Sequence, residues 1–289
     1  MTWQAASDHI TQVRDGGLDV PVHVWPADEE RAPVVVAFHG LTDAGDTFAG
    51  VARALAGRCH VVAPDAPGHG RAPWPHAERY DYNEHVPQAL AVLRAIDDLL
   101  PGVADQSGPD AQPPVPVVVV GHSLGAMTAI RAMAAADPAT RARVRHLVLL
   151  EPPRRAPLEA RNRRWDRELM QRMKATDIEG RIEIMAPRVT WSADDLRVWA
   201  ASKDPLDSAI FDVPTRWGES FPRTLRRITT PITLVLGKRP HSEMPPWRLW
   251  WVRRSCAGPC DVLALDGGHS PHREAVEQVA ELVVRLVRA

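Results

Sequence analysis

Short, nearly uninterrupted apolar runs recur along this 289-residue chain, separated by stretches in which apolar residues return at helical spacing. Val20–Trp25, Val34–Phe38, Val61–Ala63, Val115–Val120, Leu147–Leu150, Ile232–Leu236 and Val262–Leu265 are the runs. Side chains alternate between the two faces of a strand, so a run apolar throughout is buried on both faces. Between the runs, Val86–Leu100, residues 124–136 and Ala275–Val287 carry Ala, Leu, Ile and Val at the spacing of a helix face. Strands buried on both sides and alternating with helices predict an α/β fold, a mostly parallel central sheet covered by helices on both faces.

Two segments break the alternation. Residues 101–116 are rich in Pro, Gly, Asp and Gln and predict an exposed loop. Residues 152 to about 228 are rich in Arg and Trp, show several helical patches and have no convincing apolar strand. They predict a helical cap inserted between two sheet strands, of the kind that excludes water and shapes a pocket.

Composition narrows the classes. With 45% hydrophobic and 25% charged residues the chain is globular, and its net charge of -1 gives no general attraction to nucleic acid or an anionic membrane. No apolar stretch approaches the roughly 20 residues that cross a bilayer, and Met1–Asp8 lacks the basic and apolar regions of a signal peptide. A cytoplasmic protein is expected, with no nucleic-acid or membrane partner. Cys59, Cys256 and Cys260 form no disulfide framework. The Cys256–Cys260 spacing suits a metal pair, but no second Cys/His pair stands nearby, so no metal is expected.

The chemistry gathers at strand ends. In open α/β sheets, ligands bind beyond the C-terminal ends of the strands. His39, Ser123, Glu151 and the stretch after Leu236 fall there, and His269 follows the last strand. The sequence Gly121-His122-Ser123-Leu124-Gly125 lies between an apolar strand and an Ala-rich helix. That is the context in which Gly-x-Ser-x-Gly makes a sharp nucleophile elbow. A helix N-cap is the plainer role for Ser123, but a cap needs no flanking glycines.

The segments Phe38-His39-Gly40, Asp65-Ala66-Pro67-Gly68-His69-Gly70, Gly121–Gly125 and Gly267-Gly268-His269 together resemble the α/β-hydrolase family, in the family order and over the whole chain except the cap. The resemblance implies the α/β-hydrolase fold, and with the break in the alternation the chain divides into a core of residues 1–151 and 229–289 and a cap at 152–228. It implies a Ser-acid-His order along the chain, with Ser123 as nucleophile and His269 as base. His272 is the local rival of His269, and His122 is a packing residue that points away. The family commonly places its acid after the strand Ile232–Leu236, where this chain reads Gly237-Lys238-Arg239-Pro240. Glu151, ending the preceding strand, is the favoured substitute, with Glu243 as the alternative. Pairing with Arg154 or Arg155 is the structural role open to Glu151. The oxyanion hole is expected from the backbone amides of Leu41 and Leu124. Asp65 to Arg71 is a structural turn.

Other features have plainer readings. The cap arginines Arg154, Arg155, Arg161, Arg163, Arg164 and Arg167 have Glu159, Asp166 and Glu168 nearby and are expected on a solvated face, in preference to an anion-docking site. Trp165, Trp191, Trp199 and Trp217 suit equally a packed cap and a pocket for an apolar or aromatic acyl group. Trp247, Trp250 and Trp251 are expected to pack against the sheet, with an interface, as in a homodimer, as the alternative.

The expected activity is hydrolysis of a carboxylic ester, thioester or lactone through an acyl-enzyme, with a small-molecule substrate and no cofactor. Carbon–carbon bond hydrolysis, cofactor-free oxygen chemistry and a non-catalytic ligand-binding role are the alternatives within the same fold.

Overall fold

The computed structural model describes residues 10–74, 80–104, 113–153, 160–211, 215–216, 221–238 and 246–288. Ten strands occur there: β1 (Ile10–Asp15), β2 (Leu18–Trp25), β3 (Val34–Phe38), β4 (His60–Pro64), β5 (Tyr80–Asp81), β6 (Val117–His122), β7 (Val144–Leu150), β8 (Thr215–Arg216), β9 (Ile232–Gly237) and β10 (Cys260–Leu265). Eight of them form one sheet in the order β1-β2-β4-β3-β6-β7-β9-β10. β2 runs antiparallel to both its neighbours, and all other pairings in the sheet are parallel.

The apolar runs divide between two cores by simple alternation. Val34, Val36, Phe38, Val117, Val119, Leu147, Leu149, Ile232 and Leu234 face one core. Val35, Ala37, Val118, Val120, Val148, Leu150 and Val235 face the other. The first is covered by helices His85–Arg94 and Leu124–Ala135, which pack on one another. The second is covered by helices Ala49–Leu55 and Val276–Arg288. The last is strongly amphipathic and buries Val279, Ala280, Val283 and Val287.

Several details depart from the sequence pattern. The single helix expected over Val86–Leu100 has a one-residue break at Ala95, and a short helix Ile96–Leu99 follows. β1 is an edge strand that buries only Val13, so its apolar signal is faint. The segment inserted between β7 and β9 is mostly helical, with helices Ala160–Lys174, Ile178–Met185, Ala193–Ala201 and Phe221–Leu225. It also holds one strand where none was expected: β8 pairs parallel with β5. Two residues are too few for any periodicity to announce.

Candidate active site

The chain leaves β6 through a turn at Ser123, which has φ +49° and ψ −111°. Its backbone N–H donates to Leu150 O on β7 at 2.9 Å. Its side chain makes no cap bond to helix Leu124–Ala135, so the N-cap role is not realised. Gly125 is required by close packing: a Cβ there would overlap the carbonyl of Phe38 on β3. Gly121 is required likewise, since its Cβ would stand 2.5 Å from Gly125 O. Among the described residues, the non-glycine positions with positive φ are Thr42, Ser123 and Glu151. Each such position costs about 1–3 kcal/mol and persists only where surrounding structure imposes it. All three lie just beyond the C-terminal ends of β3, β6 and β7.

Glu151 is fully buried. Its backbone N–H donates to Val235 O, and its Oε1 accepts the Gly237 N–H at 2.6 Å. Oε2 faces His269 Nδ1 at 3.9 Å. That nitrogen is buried without another hydrogen-bond partner, although the side chain as a whole is 39% exposed. The gap is about one ångström longer than a hydrogen bond. Unliganded sites often hold such pairs long. Glu243, the alternative acid, lies outside the described residues, as do Arg154 and Arg155.

The loop of His269 is held from two sides. Glu274 accepts the Gly268 N–H at 2.5 Å. His122 Nε2 stands 2.7 Å from His269 O, and because a carbonyl only accepts, Nε2 carries the proton. His122 is buried and packs, but it does not point away as the sequence suggested: its ring lies against those of His269 and His272 and ties the histidine loop to the residue beside Ser123. Burial lowers its pKa to about 3.

The remaining nearby histidines are sealed in the protein. Burial lowers the pKa of His39, takes that of His69 down to about 3 and takes those of His85 and His272 well below the usual value. His272, the rival base, is fully buried between the rings of Phe48 and His122. A base that exchanges protons with substrate needs access, and His269 has it.

The loop after β3 lies against the nucleophile. A Cβ on Gly40 would stand 3.5 Å from Ser123 Cβ. His39 Nδ1 donates to Gly40 O at 2.8 Å while its Nε2 accepts the Ala66 N–H. Thr42 N–H points to His69 Nε2 at 3.3 Å, and Asp43 N–H donates to Gly40 O. Leu41 thus sits in a braced turn. The N–H of Leu124, in the first turn of its helix, has no intrahelical acceptor. Asp65 closes its own turn, accepting from Arg71 N–H and Gly45 N–H at 2.8 Å each.

Sequence reasoning missed a buried ionic cluster around Asp43. Its Oδ2 pairs with Arg273 at 2.9 Å and its Oδ1 with Lys203 at 3.4 Å. Burial pushes the carboxyl up, but Arg273 and Lys203 outweigh it and hold it well below the usual carboxylate range. The partners are 160 and 230 residues away in the chain, so no local pattern links them. Asp43, His122 and His272 also bring three potential metal-ligand atoms within 4.8 Å of one another. A divalent cation there would face two positive side chains already engaged on the carboxylate, so the donor set fits a metal poorly. Cys256 and Cys260 lie at the other end of the sheet, where β10 begins.

Over the site, Leu41 and Leu124 join an apolar cluster with Tyr82 and with Met170, Met173, Trp199, Leu206, Ile210 and Phe211 of the insertion. Trp191 meets Trp199 edge to face. Trp217, and the side chains of Trp165, Arg161, Arg163 and Arg164, fall outside the described residues; Arg167 is exposed. Trp250 is 54% exposed and stacks on Arg254, contrary to the expected packing, because Leu249 and Val252 take the inward face of their helix. No helix among the described residues is long and apolar enough to cross a membrane.

A family model described as "Alpha/beta hydrolase family" matches residues 34–282. The chain belongs to the alpha/beta hydrolase family. The chain is 37% identical over 133 residues to lipase LipV of Mycobacterium tuberculosis, 46% of this chain and 42% of that protein. The 3-hydroxybutyrate-oligomer hydrolase of Cupriavidus necator is 46% identical over 76 residues, 26% of each chain. The matches therefore span less than half the length of these relatives. A thioesterase domain from the curacin biosynthetic pathway has the same fold, with a TM-score of 0.71, 22% identity, and coverage of 96% of this chain and 99% of that one.

Proposed function

We propose that this hydrolase cleaves a carboxylic ester, thioester or lactone through an acyl-enzyme on Ser123. One observation carries the reading: the Glu151 carboxylate, buried and fixed by Gly237 N–H, faces the otherwise unpartnered Nδ1 of the half-exposed His269. Such a carboxylate keeps the imidazole proton on Nδ1 and leaves Nε2 as the base.

In the proposed reaction Ser123 Oγ attacks the substrate carbonyl as His269 Nε2 takes its proton. The N–H groups of Leu41 and Leu124 receive the charge that develops on the carbonyl oxygen. Collapse expels the alcohol, thiol or lactone oxygen, which takes the proton from His269. Water then attacks the acyl group, with His269 again as base, and Ser123 is released.

The insertion serves as a cap in this reading. Its apolar cluster with Leu41 and Leu124 supports an apolar or aromatic acyl group as the substrate part held there. The names of the lipase and the oligomer hydrolase among its partial relatives agree with ester cleavage.

A fluorophosphonate probe tests the proposal. Wild type is expected to label at one site and Ser123→Ala not at all. A panel of p-nitrophenyl esters, aryl lactones and vinylogous diketones then sorts the bond cleaved. Absence of labelling in the wild type, or labelling that persists in Ser123→Ala, overturns it.

A further inference from the structure

Lys203 is fully buried, and an ammonium leaves water only where something holds it. It lies just past helix Ala193–Ala201 of the insertion, yet its Nζ donates to Thr42 O in the loop after β3 at 2.6 Å. Ser202 Oγ at 3.0 Å and Asp43 Oδ1 at 3.4 Å complete its polar contacts, and the ring of Trp199 lies beside it at 4.8 Å. Thr42 is one of the left-handed non-glycine positions, with φ +70°. The residue whose carbonyl Lys203 grips is therefore strained, and it is the next residue after Leu41.

Asp43 receives a second cation from the other side. Arg273, four residues past His269, pairs with Oδ2. His122, beside the nucleophile, faces the same oxygen at 3.9 Å. One carboxylate thus joins the loop after β3, the histidine loop and the insertion.

We infer that Lys203 is a positioning residue for the proposed oxyanion hole: from the insertion it fixes the Thr42 peptide and the Asp43 carboxylate, and so holds the Leu41 amide toward Ser123. This rests on the reading of Ser123 as nucleophile given above. It makes the insertion part of the catalytic geometry and not a cover alone. When Lys203 is neutral, its pairing with Asp43 is lost and that carboxylate leans on Arg273 alone.

Burial lowers the Lys203 pKa to about 8, with Asp43 opposing the shift. The other charged or titratable groups facing the cluster are Arg273 and His272 from the histidine loop, His122 from the elbow, and Asp43 and Asp46 from the loop after β3. Asp43 is held well below the carboxylate range, Asp46 is raised to about 6, His122 is lowered to about 3 and His272 lies well below its usual value. A loss of function near pH 8 within this cluster therefore belongs to Lys203.

The test measures the second-order rate of fluorophosphonate labelling from pH 6 to 10 in the full chain, for wild type and Lys203→Met. The expected result is a wild-type rate that falls several-fold above about pH 8. Lys203→Met is expected to label about 10- to 100-fold more slowly at pH 7, below or near the loss from deleting an oxyanion donor, with no fall above pH 8. A folded Lys203→Met labelled at the wild-type rate overturns the inference, as does a wild-type rate that holds to pH 10. If the variant does not fold, the wild-type profile decides alone. A wild type that never labels removes the nucleophile reading and this inference with it, whereas a labelling wild type with an indifferent Lys203 removes only the inference.

Discussion

The carboxylate of Glu151 accepts the backbone N–H of Gly237 at 2.6 Å, joining the end of β7 to the end of β9. Gly237 opens the stretch from which the family commonly supplies its acid. Here a side chain from the neighbouring strand reaches over to it, and its second oxygen turns toward His269. Glu151→Gln keeps an oxygen for Gly237 N–H but loses the charge. Turnover of a p-nitrophenyl ester is expected to fall on the order of 10⁴-fold, as when a triad acid becomes an amide. Glu243→Gln is expected to retain most activity; the reverse pattern would reassign the acid.

Ser123 occupies a backbone conformation that glycine adopts freely. Ser123→Gly abolishes turnover in the proposed mechanism, yet it relieves strain of about 1–3 kcal/mol. The added freedom of the unfolded chain offsets about 0.4–1 kcal/mol of that. A net gain in stability of about 1 kcal/mol is expected by urea denaturation. A variant less stable than wild type would show that the elbow is unstrained.

Asp46 gives a pH signature. Burial raises its pKa to about 6, from an ordinary carboxylate value near 4. Between those values the folded state binds the proton more tightly than the unfolded state, so stability falls as pH rises from about 4 to 6 and stays lower above. Asp46→Asn removes that slope. The variant is expected to exceed wild type at pH 8, by about 3 kcal/mol at most, and to match it at pH 3.5. Parallel melting temperatures at both pH values would refute the assignment.

Gly125 admits no side chain, because the first helical turn sits directly on Phe38 O and His39 O. The clash is between backbone atoms of a central strand and its helix, which cannot swing aside. Gly125→Ala is expected to destabilise by about 3 kcal/mol or more, seen as a lowered denaturation midpoint or as insoluble protein. Wild-type stability in that variant would mean that β3 and the helix separate easily.

The parts legible in the sequence were those written in local pattern. β3, β4, β6, β7 and β9 announce themselves because a doubly covered strand needs apolar residues at consecutive positions; β10 is legible from its apolar run although, as an edge strand, it buries only Leu265. The elbow does so because its two glycines answer backbone contacts on either side of Ser123. Glu151 was visible as a charged residue ending an apolar run. The Asp43 cluster was not, since Lys203 and Arg273 reach it from distant segments and each alone resembles an ordinary surface cation. β8 was too short, β1 too exposed, and Trp250 faces outward on a helix whose inward positions go to Leu249 and Val252.

In the proposed mechanism β7 furnishes the carboxylate, so the connection that follows β9 is relieved there of any chemical duty. It can drift in length and composition among descendants of this chain without touching turnover, while the junction at Glu151, where the insertion takes root, must stay fixed to the residue.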